Sequence, residues 1–376
     1  MHGDFSEQIN ATVMFGALLI ALLILINART IGEALKIMDH PDANRKRHSQ
    51  STPLVGGLAV MLATIFWAGV SLLWRPDLDV RLLEVVVLCG AGATLVGYAD
   101  DQSSTSPSSR LLSLLLLSVI AMVLDPAIIP AKLSWGNFEP TEIPKWLAMI
   151  LVAVGMAGYV NAVNMADGQN GVATGMFAIW AACLMIVTGG TVASVAAVMF
   201  EVVVVTFLFN MAGRIFIGDT GSYGISFVFG MLAIWAHNNG SVSAETIAVW
   251  FFIPVMDCLR LMVSRSLKGR APSDGDRNHF HHHLQDRIGK TAGLCTYLGV
   301  VGASSLVASW APHLSLACMV VLAAFYFSFA WLTEVDVKVE DEEVGGETPE
   351  DRARPRLVKS ASVVPFDGKD ATAARE

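Results

Sequence analysis

The sequence predicts an all-α integral membrane protein of about 11 transmembrane helices with a cytoplasmic-face active site, and three observations carry that expectation. Of the 376 residues, 54% are hydrophobic and only 15% are charged, where a soluble chain carries about 25%. Apolar runs long enough to cross a bilayer recur along most of the chain, at a mean hydropathy of +0.55. The dense polar clusters, finally, all fall in loops of one face.

A spanning helix needs about 20 mostly apolar residues at a rise of 1.5 Å each. Eleven runs meet that demand, near 11–28, 54–74, 82–98, 111–129, 146–163, 171–188, 191–209, 220–236, 244–264, 291–310 and 312–332. Two are rich in glycine: Gly90, Gly92 and Gly97 in the third, and Gly221, Gly224 and Gly230 in the eighth. Small residues there suit close helix packing more than lipid exposure.

An odd number of spans puts the two ends on opposite sides. Loops on one side hold 20 Lys and Arg, while the other side holds only Arg75, Arg81, Lys132 and Lys145, and Arg260 falls within a run. The positive-inside rule places the N-terminus outside and the C-terminus in the cytoplasm. No Lys or Arg precedes the first apolar run and no small-residue cleavage site follows it, so a cleaved signal peptide is not expected.

Residues 1–333 form the predicted membrane domain, and 334–376 an acidic tail. The tail holds 12 Asp and Glu against 7 Lys and Arg, with few large apolar residues, and is expected to be disordered. The remaining 21 acids and 18 bases leave the body near neutral, without the basic excess that nucleic acid would require. Cys89, Cys183, Cys258, Cys295 and Cys318 stand singly in apolar surroundings, without metal or redox spacing.

Five loops of the predicted cytoplasmic face carry chemistry-bearing residues. The first runs from Asp39 to His48 and combines bases with the following Pro53 and Gly56-Gly57. Asp100-Asp101 ends an apolar run, and adjacent acids at that depth call for a cation or another partner. Asn161, Asn164, Asp167 and Asn170 recur every three residues, which lines one face if the stretch is helical, whereas Gly168 and Gly171 favour a turn close to a ligand. Gly218-Asp219-Thr220-Gly221-Ser222 opens another span, where free backbone N–H groups favour a phosphate. The fifth loop holds Lys268, Arg270, Arg277, His279, His281, His282 and His283. These histidines lack the cysteine and His-Glu-x-x-His partners of a zinc site and suit a pyrophosphate better.

In this order the motifs resemble the polyprenyl-phosphate N-acetylhexosamine-1-phosphate transferases, over roughly residues 39–284. The matching positions are Asp39, Pro41, Arg45, Lys46, His48, Pro53 and Gly56-Gly57; Asp100-Asp101; Asn161, Asn164, Asp167 and Gly168; Gly218 to Ser222; and Arg277, His279, His281 and His282. The Asp-Arg-x-His-x-His-His form of the last loop is similar to the bacterial undecaprenyl-phosphate GlcNAc-1-phosphate branch. That resemblance implies a UDP-N-acetylhexosamine donor, undecaprenyl phosphate as acceptor, Mg²⁺ or Mn²⁺ as cofactor, UMP as product and a multi-pass protein of the bacterial inner membrane that primes a surface polysaccharide such as O-antigen. It leaves a homodimer open.

The same resemblance implies residue roles. Asp100, Asp101 and Asp219 are the expected catalytic group, with Asp219 the principal metal ligand, Asn164 assisting and Asp101 close by. Asp100 orients or deprotonates the acceptor phosphate. Asp167 and Asn170 go to the nucleotide; Arg277, His279, His281 and His282 to the donor pyrophosphate and sugar; Arg45, Lys46 and His48 to the lipid phosphate. Two departures bear on specificity: Asn170 stands where the family commonly has Asp, and Arg110 where it often has Lys. The rival outside this class is an ion-coupled transporter, for which Glu201 and Asp257 are the acids well inside apolar runs.

Overall fold

The computed structural model describes residues 2–41, 51–133, 135, 139–271 and 278–329. Helices dominate: α1 (His2–Ile26), α2 (Ala28–Leu35), α3 (Gly56–Trp74), α4 (Val80–Ser103), α5 (Pro107–Leu124), α6 (Lys145–Ala166), α7 (Val172–Val187), α8 (Gly190–Met211), α9 (Gly218–Asn238), α10 (Ala244–Leu267), α11 (Phe280–Ile288), α12 (Lys290–Trp310) and α13 (Pro312–Phe329). Met1–Phe327 form one compact unit; the rest, from Ser328, lies almost wholly outside the described residues, as does the predicted tail.

All eleven predicted runs fall on helices, but they are not equally suited to lipid. Among the described residues eight helices are long and apolar enough to cross a membrane, or nine if α1 and α2, bent by 76°, count as one span. The break falls at Asn27, whose side-chain amide donates to the Leu23 carbonyl at 2.8 Å and competes with the continuing helix. The two remaining runs differ for separate reasons. Helix α7 has only 16 residues, and α9 is too rich in Gly, Ser and Thr.

That composition suits the position of α9 at the centre of the bundle. It packs on α3, α4, α6 and α7, and its buried residues include Thr220, Ser222, Ser226 and His237. Helices farther out meet the lipid instead, through exposed Leu88 and Leu95 on the outer side of α4 and Leu112, Leu116 and Val123 on α5. Two crossings are backbone against backbone: a Cβ on Gly57 would lie 1.9 Å from Gly221 Cα, and one on Gly97 2.0 Å from the Asp219 carbonyl oxygen. Below 3 Å no relaxation of a flexible side chain could make room, so glycine is required at both.

The bundle has two ends, each tied by hydrogen bonds. At one, the Asp79 N–H donates to Thr191 Oγ1 at 2.6 Å, and the Asn238 amide to the Ala127 carbonyl at 2.6 Å. At the other lie the motif loops. Met38–Asp39 (β1) and Thr52–Pro53 (β2) pair antiparallel, Asp39 opposite Thr52. The Phe216 N–H donates to the Pro53 carbonyl at 2.9 Å, and the Gly56 N–H returns a bond to the Phe216 carbonyl at 2.9 Å. The Tyr98 hydroxyl fixes the end of α2 by donating to the Leu35 carbonyl at 3.1 Å.

Candidate active site

The site forms where the last turn of α4 meets the first turn of α9. The leading N–H groups of a helix have no partner within it, and Ile217, at the N-cap of α9, offers no side-chain oxygen. Asp101 supplies the cap from another helix. Its Oδ1 accepts the Asp219 N–H at 2.8 Å, and its Oδ2 accepts the Thr220 N–H at 2.8 Å and the Thr220 hydroxyl at 2.6 Å. The carboxylate also faces the positive end of the helix dipole. Gly218 permits the approach, with φ at +70° and an added Cβ only 2.7 Å from Asp101 Oδ2.

This cap aims Asp219 across to α6, where Asn164 Nδ2 donates to Asp219 Oδ1 at 2.6 Å and to Ser222 Oγ at 2.9 Å. The Asp100 and Asp219 carboxyls are close enough for each to act on the other's charge. Asp100 is buried, accepts the Thr105 N–H at 2.7 Å and its hydroxyl at 2.9 Å, and is paired with the Arg110 guanidinium.

Both sequence readings of the period-three stretch apply, each to half of it. Asn161 and Asn164 are on α6, which ends at Ala166, while Asp167 and Asn170 belong to the turn that leads into α7. Asn161 donates to the Ala157 carbonyl of its own helix at 2.7 Å. Asn210, on α8, ties two motif turns together: its Oδ1 accepts the Gly171 N–H at 2.7 Å and its amide donates to the Ile215 carbonyl at 3.0 Å. Part of Asp167 is open, yet the surrounding protein pushes its carboxyl up to about 8, burial first and the Asp101 charge second. It therefore keeps its proton at neutral pH and can donate as well as accept.

The same turn touches the histidine loop. A Cβ on Gly168 would lie 2.5 Å from His281 Nε2 and 3.3 Å from His282 Nε2. The rings of His279 and His281 stack, with centroids 5.4 Å apart and planes 18° from parallel. His281 is buried, and its Nε2 has no hydrogen-bond partner among the described residues. Burial holds that imidazole well below its usual range, and the neighbouring His282 and His279 add to the effect, so it is neutral at pH 7.

The structure thus joins Asp100, Asp101, Asn164, Asp167, Asp219, His279, His281 and His282 in one run of contacts, with Asn170 half-buried in the same turn. Arg45, Lys46, His48 and Arg277 lie outside the described residues. Among the described residues, no group of three or more His, Cys, Asp or Glu side chains is arranged to hold a metal. The two carboxyls of Asp100 and Asp219 nevertheless fit a hard divalent cation, which takes oxygen ligands, keeps several waters and would relieve their repulsion. Asn164 meets Asp219 through its N–H, which suits orienting that carboxylate, and both Asp101 oxygens are turned to α9.

One group escaped the sequence reading. Asp257, buried on α10, accepts from His279 Nδ1 at 2.9 Å, Arg260 Nη2 at 3.0 Å, the Tyr326 hydroxyl at 2.8 Å and the Phe280 N–H at 3.1 Å. The available signal was an acid and a base three residues apart inside an apolar run, which only a partner or a function sustains.

Known proteins share much of this sequence. Residues 83–237 match the model of Glycosyl transferase family 4. An undecaprenyl-phosphate alpha-N-acetylglucosaminyl 1-phosphate transferase of Salmonella typhi is 28% identical over 329 residues, covering 80% of this chain and 85% of the relative. The protein of that name from Escherichia coli K12 is 27% identical over 341 residues, covering 85% and 90%. A probable undecaprenyl-phosphate N-acetylglucosaminyl 1-phosphate transferase of Bacillus subtilis is 26% identical over 277 residues, covering 71% and 75%. The matched segment carries Asp100, Asp101, Asn164, Asp167 and Asp219, and by this similarity to glycosyl transferase family 4 the chain is an enzyme of the transferase class.

Proposed function

We propose that this protein transfers N-acetylhexosamine-1-phosphate, specifically GlcNAc-1-phosphate, from a UDP-sugar to undecaprenyl phosphate. An oxygen of the lipid phosphate attacks the phosphorus next to the sugar, a new pyrophosphate bond forms, the bond to the uridine-bearing phosphate breaks, and UMP leaves. One observation carries the reading: residues from four separate motifs meet in a single run from Asp101 through Asp219, Asn164 and the Asp167-Gly168 turn to His281. The names of the relatives support the acceptor and the sugar.

Anionic groups must approach one another in this reaction, and catalysis is mainly positioning and charge stabilisation. Asp219 and Asp100 would hold Mg²⁺ or Mn²⁺, with Asn164 orienting Asp219 and Asp101 fixing the turn that presents it. A bound divalent cation supplies charge neutralisation between the two phosphate-bearing substrates. Arg110, already paired with Asp100, borders the approach of the lipid phosphate, whose second pKa near 6 leaves it largely dianionic without a strong base. Asp167 and Asn170 are assigned to the nucleotide, and the histidine loop and Arg277 to the pyrophosphate and sugar. Arg45, Lys46 and His48 are assigned to the acceptor phosphate. The loops carrying these residues belong at the cytoplasmic face of the bacterial inner membrane, with the N-terminus outside and the C-terminus inside, and the product primes a surface polysaccharide.

The test is UMP release by purified protein given undecaprenyl phosphate, a divalent metal and a panel of UDP-sugars. Release with UDP-GlcNAc that requires both lipid phosphate and metal is the expected result. Release without the lipid, or from no UDP-sugar at all, overturns the proposal.

A further inference from the structure

Asp257 lies within a membrane-spanning helix, yet it is saturated with donors from three directions. Arg260 comes from its own helix, Tyr326 from α13, and the His279 ring and Phe280 N–H from the start of α11. Arg260 also donates to the Tyr326 hydroxyl at 2.6 Å and to the Asn278 carbonyl. His279 is the N-cap residue of α11 but caps it with no side-chain bond, so the Phe280 N–H is satisfied by Asp257 instead. A transporter would leave such an acid open to an ion; here it is bound into a static junction.

The chemistry of the His279 contact is directional. An ionised carboxylate only accepts, so the ring nitrogen 2.9 Å from Asp257 Oδ2 must carry the hydrogen. In the neutral form of the ring, a hydrogen held on Nδ1 leaves Nε2 as an acceptor. A phosphate oxygen offers no hydrogen to such an atom, whereas a sugar hydroxyl or an acetamido N–H does. His281 stacks on this ring and reaches Gly168, so the orientation of one imidazole constrains the other beside the Asp167 turn.

We propose that Asp257 is a positioning residue that holds His279 in its Nδ1–H tautomer, making the histidine loop a reader of hydroxyl or amide hydrogens on the donor's sugar rather than an anchor for its phosphates. The inference rests on the transferase function proposed above. It narrows the assignment made above, which gives all these histidines to pyrophosphate and sugar together.

Asp257→Asn separates the two roles. The KM for UDP-GlcNAc should rise roughly ten- to hundredfold, the scale of one charge-assisted hydrogen bond. Inhibition by UDP, which lacks the N-acetylhexosamine, and the KM for undecaprenyl phosphate should stay unchanged. Adding His279→Ala should cost little more, because both substitutions remove one unit. A parallel weakening of UDP, or losses that multiply, overturns the proposal. Should Asp257→Asn fail to fold, Tyr326→Phe removes one hydroxyl from the junction and should raise the donor KM a few-fold in the same selective way; an unchanged KM counts against the proposal. The tautomer can be read without turnover, from nitrogen chemical shifts of ¹⁵N-histidine-labelled protein. An Nδ1-protonated His279 that is lost in Asp257→Asn supports the positioning role even if no UDP-sugar is a substrate, and an Nε2-protonated His279 in the native protein refutes it.

Discussion

Thr220 donates both its backbone N–H and its hydroxyl to the same oxygen of Asp101, while the other oxygen takes the Asp219 N–H. An acid at the end of one helix thus caps the next and aims the carboxylate between them. Asp101→Asn keeps one acceptor but turns an amide toward N–H donors. The expected cost is about 1–2 kcal/mol, with activity falling further as Asp219 loses its orientation. Thermal unfolding in detergent and UMP release, measured together, check it; an unchanged midpoint would show that the cap is dispensable.

Asp219→Asn should behave differently. The backbone cap remains, so the unfolding midpoint should shift little, whereas loss of a charge-stabilising group should slow transfer by roughly 10²–10³. Near-native turnover with Mg²⁺ present would remove Asp219 from the metal assignment.

The glycine contacts predict a sharp contrast. Gly97→Ala places a methyl 2.0 Å from the Asp219 carbonyl oxygen, and Gly57→Ala 1.9 Å from Gly221 Cα, so both should abolish folded yield. Gly158→Ala, where an added Cβ meets nothing within 4 Å, should be tolerated. Monodispersity on size exclusion separates the two classes.

Acidification gives a signed prediction. Burial lowers the His281 pKa in the folded state below the usual 6.5, so below that pH the unfolded chain takes up a proton that the folded protein refuses. Stability contributed by this group is present above pH 6.5 and lost as the pH falls, by up to about 1.4 kcal/mol per unit. His281→Gln should flatten the fall in unfolding midpoint between about pH 6.5 and 5; an equal fall in both proteins would place the effect elsewhere.

How much of this was legible in the sequence depended on the range of the interaction. Helix positions followed from apolar length alone, and Asp101, Asn164, Asp167 and Asp219 stood out because an acid or amide at the edge of an apolar run needs a reason. What periodicity could not convey was enclosure. Helix α9 reads as an irregular span, but its Gly, Ser and Thr face other helices. Asp257 reads as a stray intramembrane acid because its partner Tyr326 lies far along the chain, on a helix without any motif. Asn210 stands out only in the fold, which brings Gly171 and Ile215 to either end of its side chain.

The crossings of α9 with α3 and α4 rest on main chain against main chain at Gly57, Gly97 and Gly221. Such a frame insulates the reaction centre from substitutions on the outer surface. Exchanging one aliphatic residue for another at Leu88, Leu95 or Leu116 alters what the lipid tails touch and leaves the distance between the carboxylates untouched. Drift across the greasy exterior is therefore cheap, and the tolerance for it ends abruptly wherever two backbones meet.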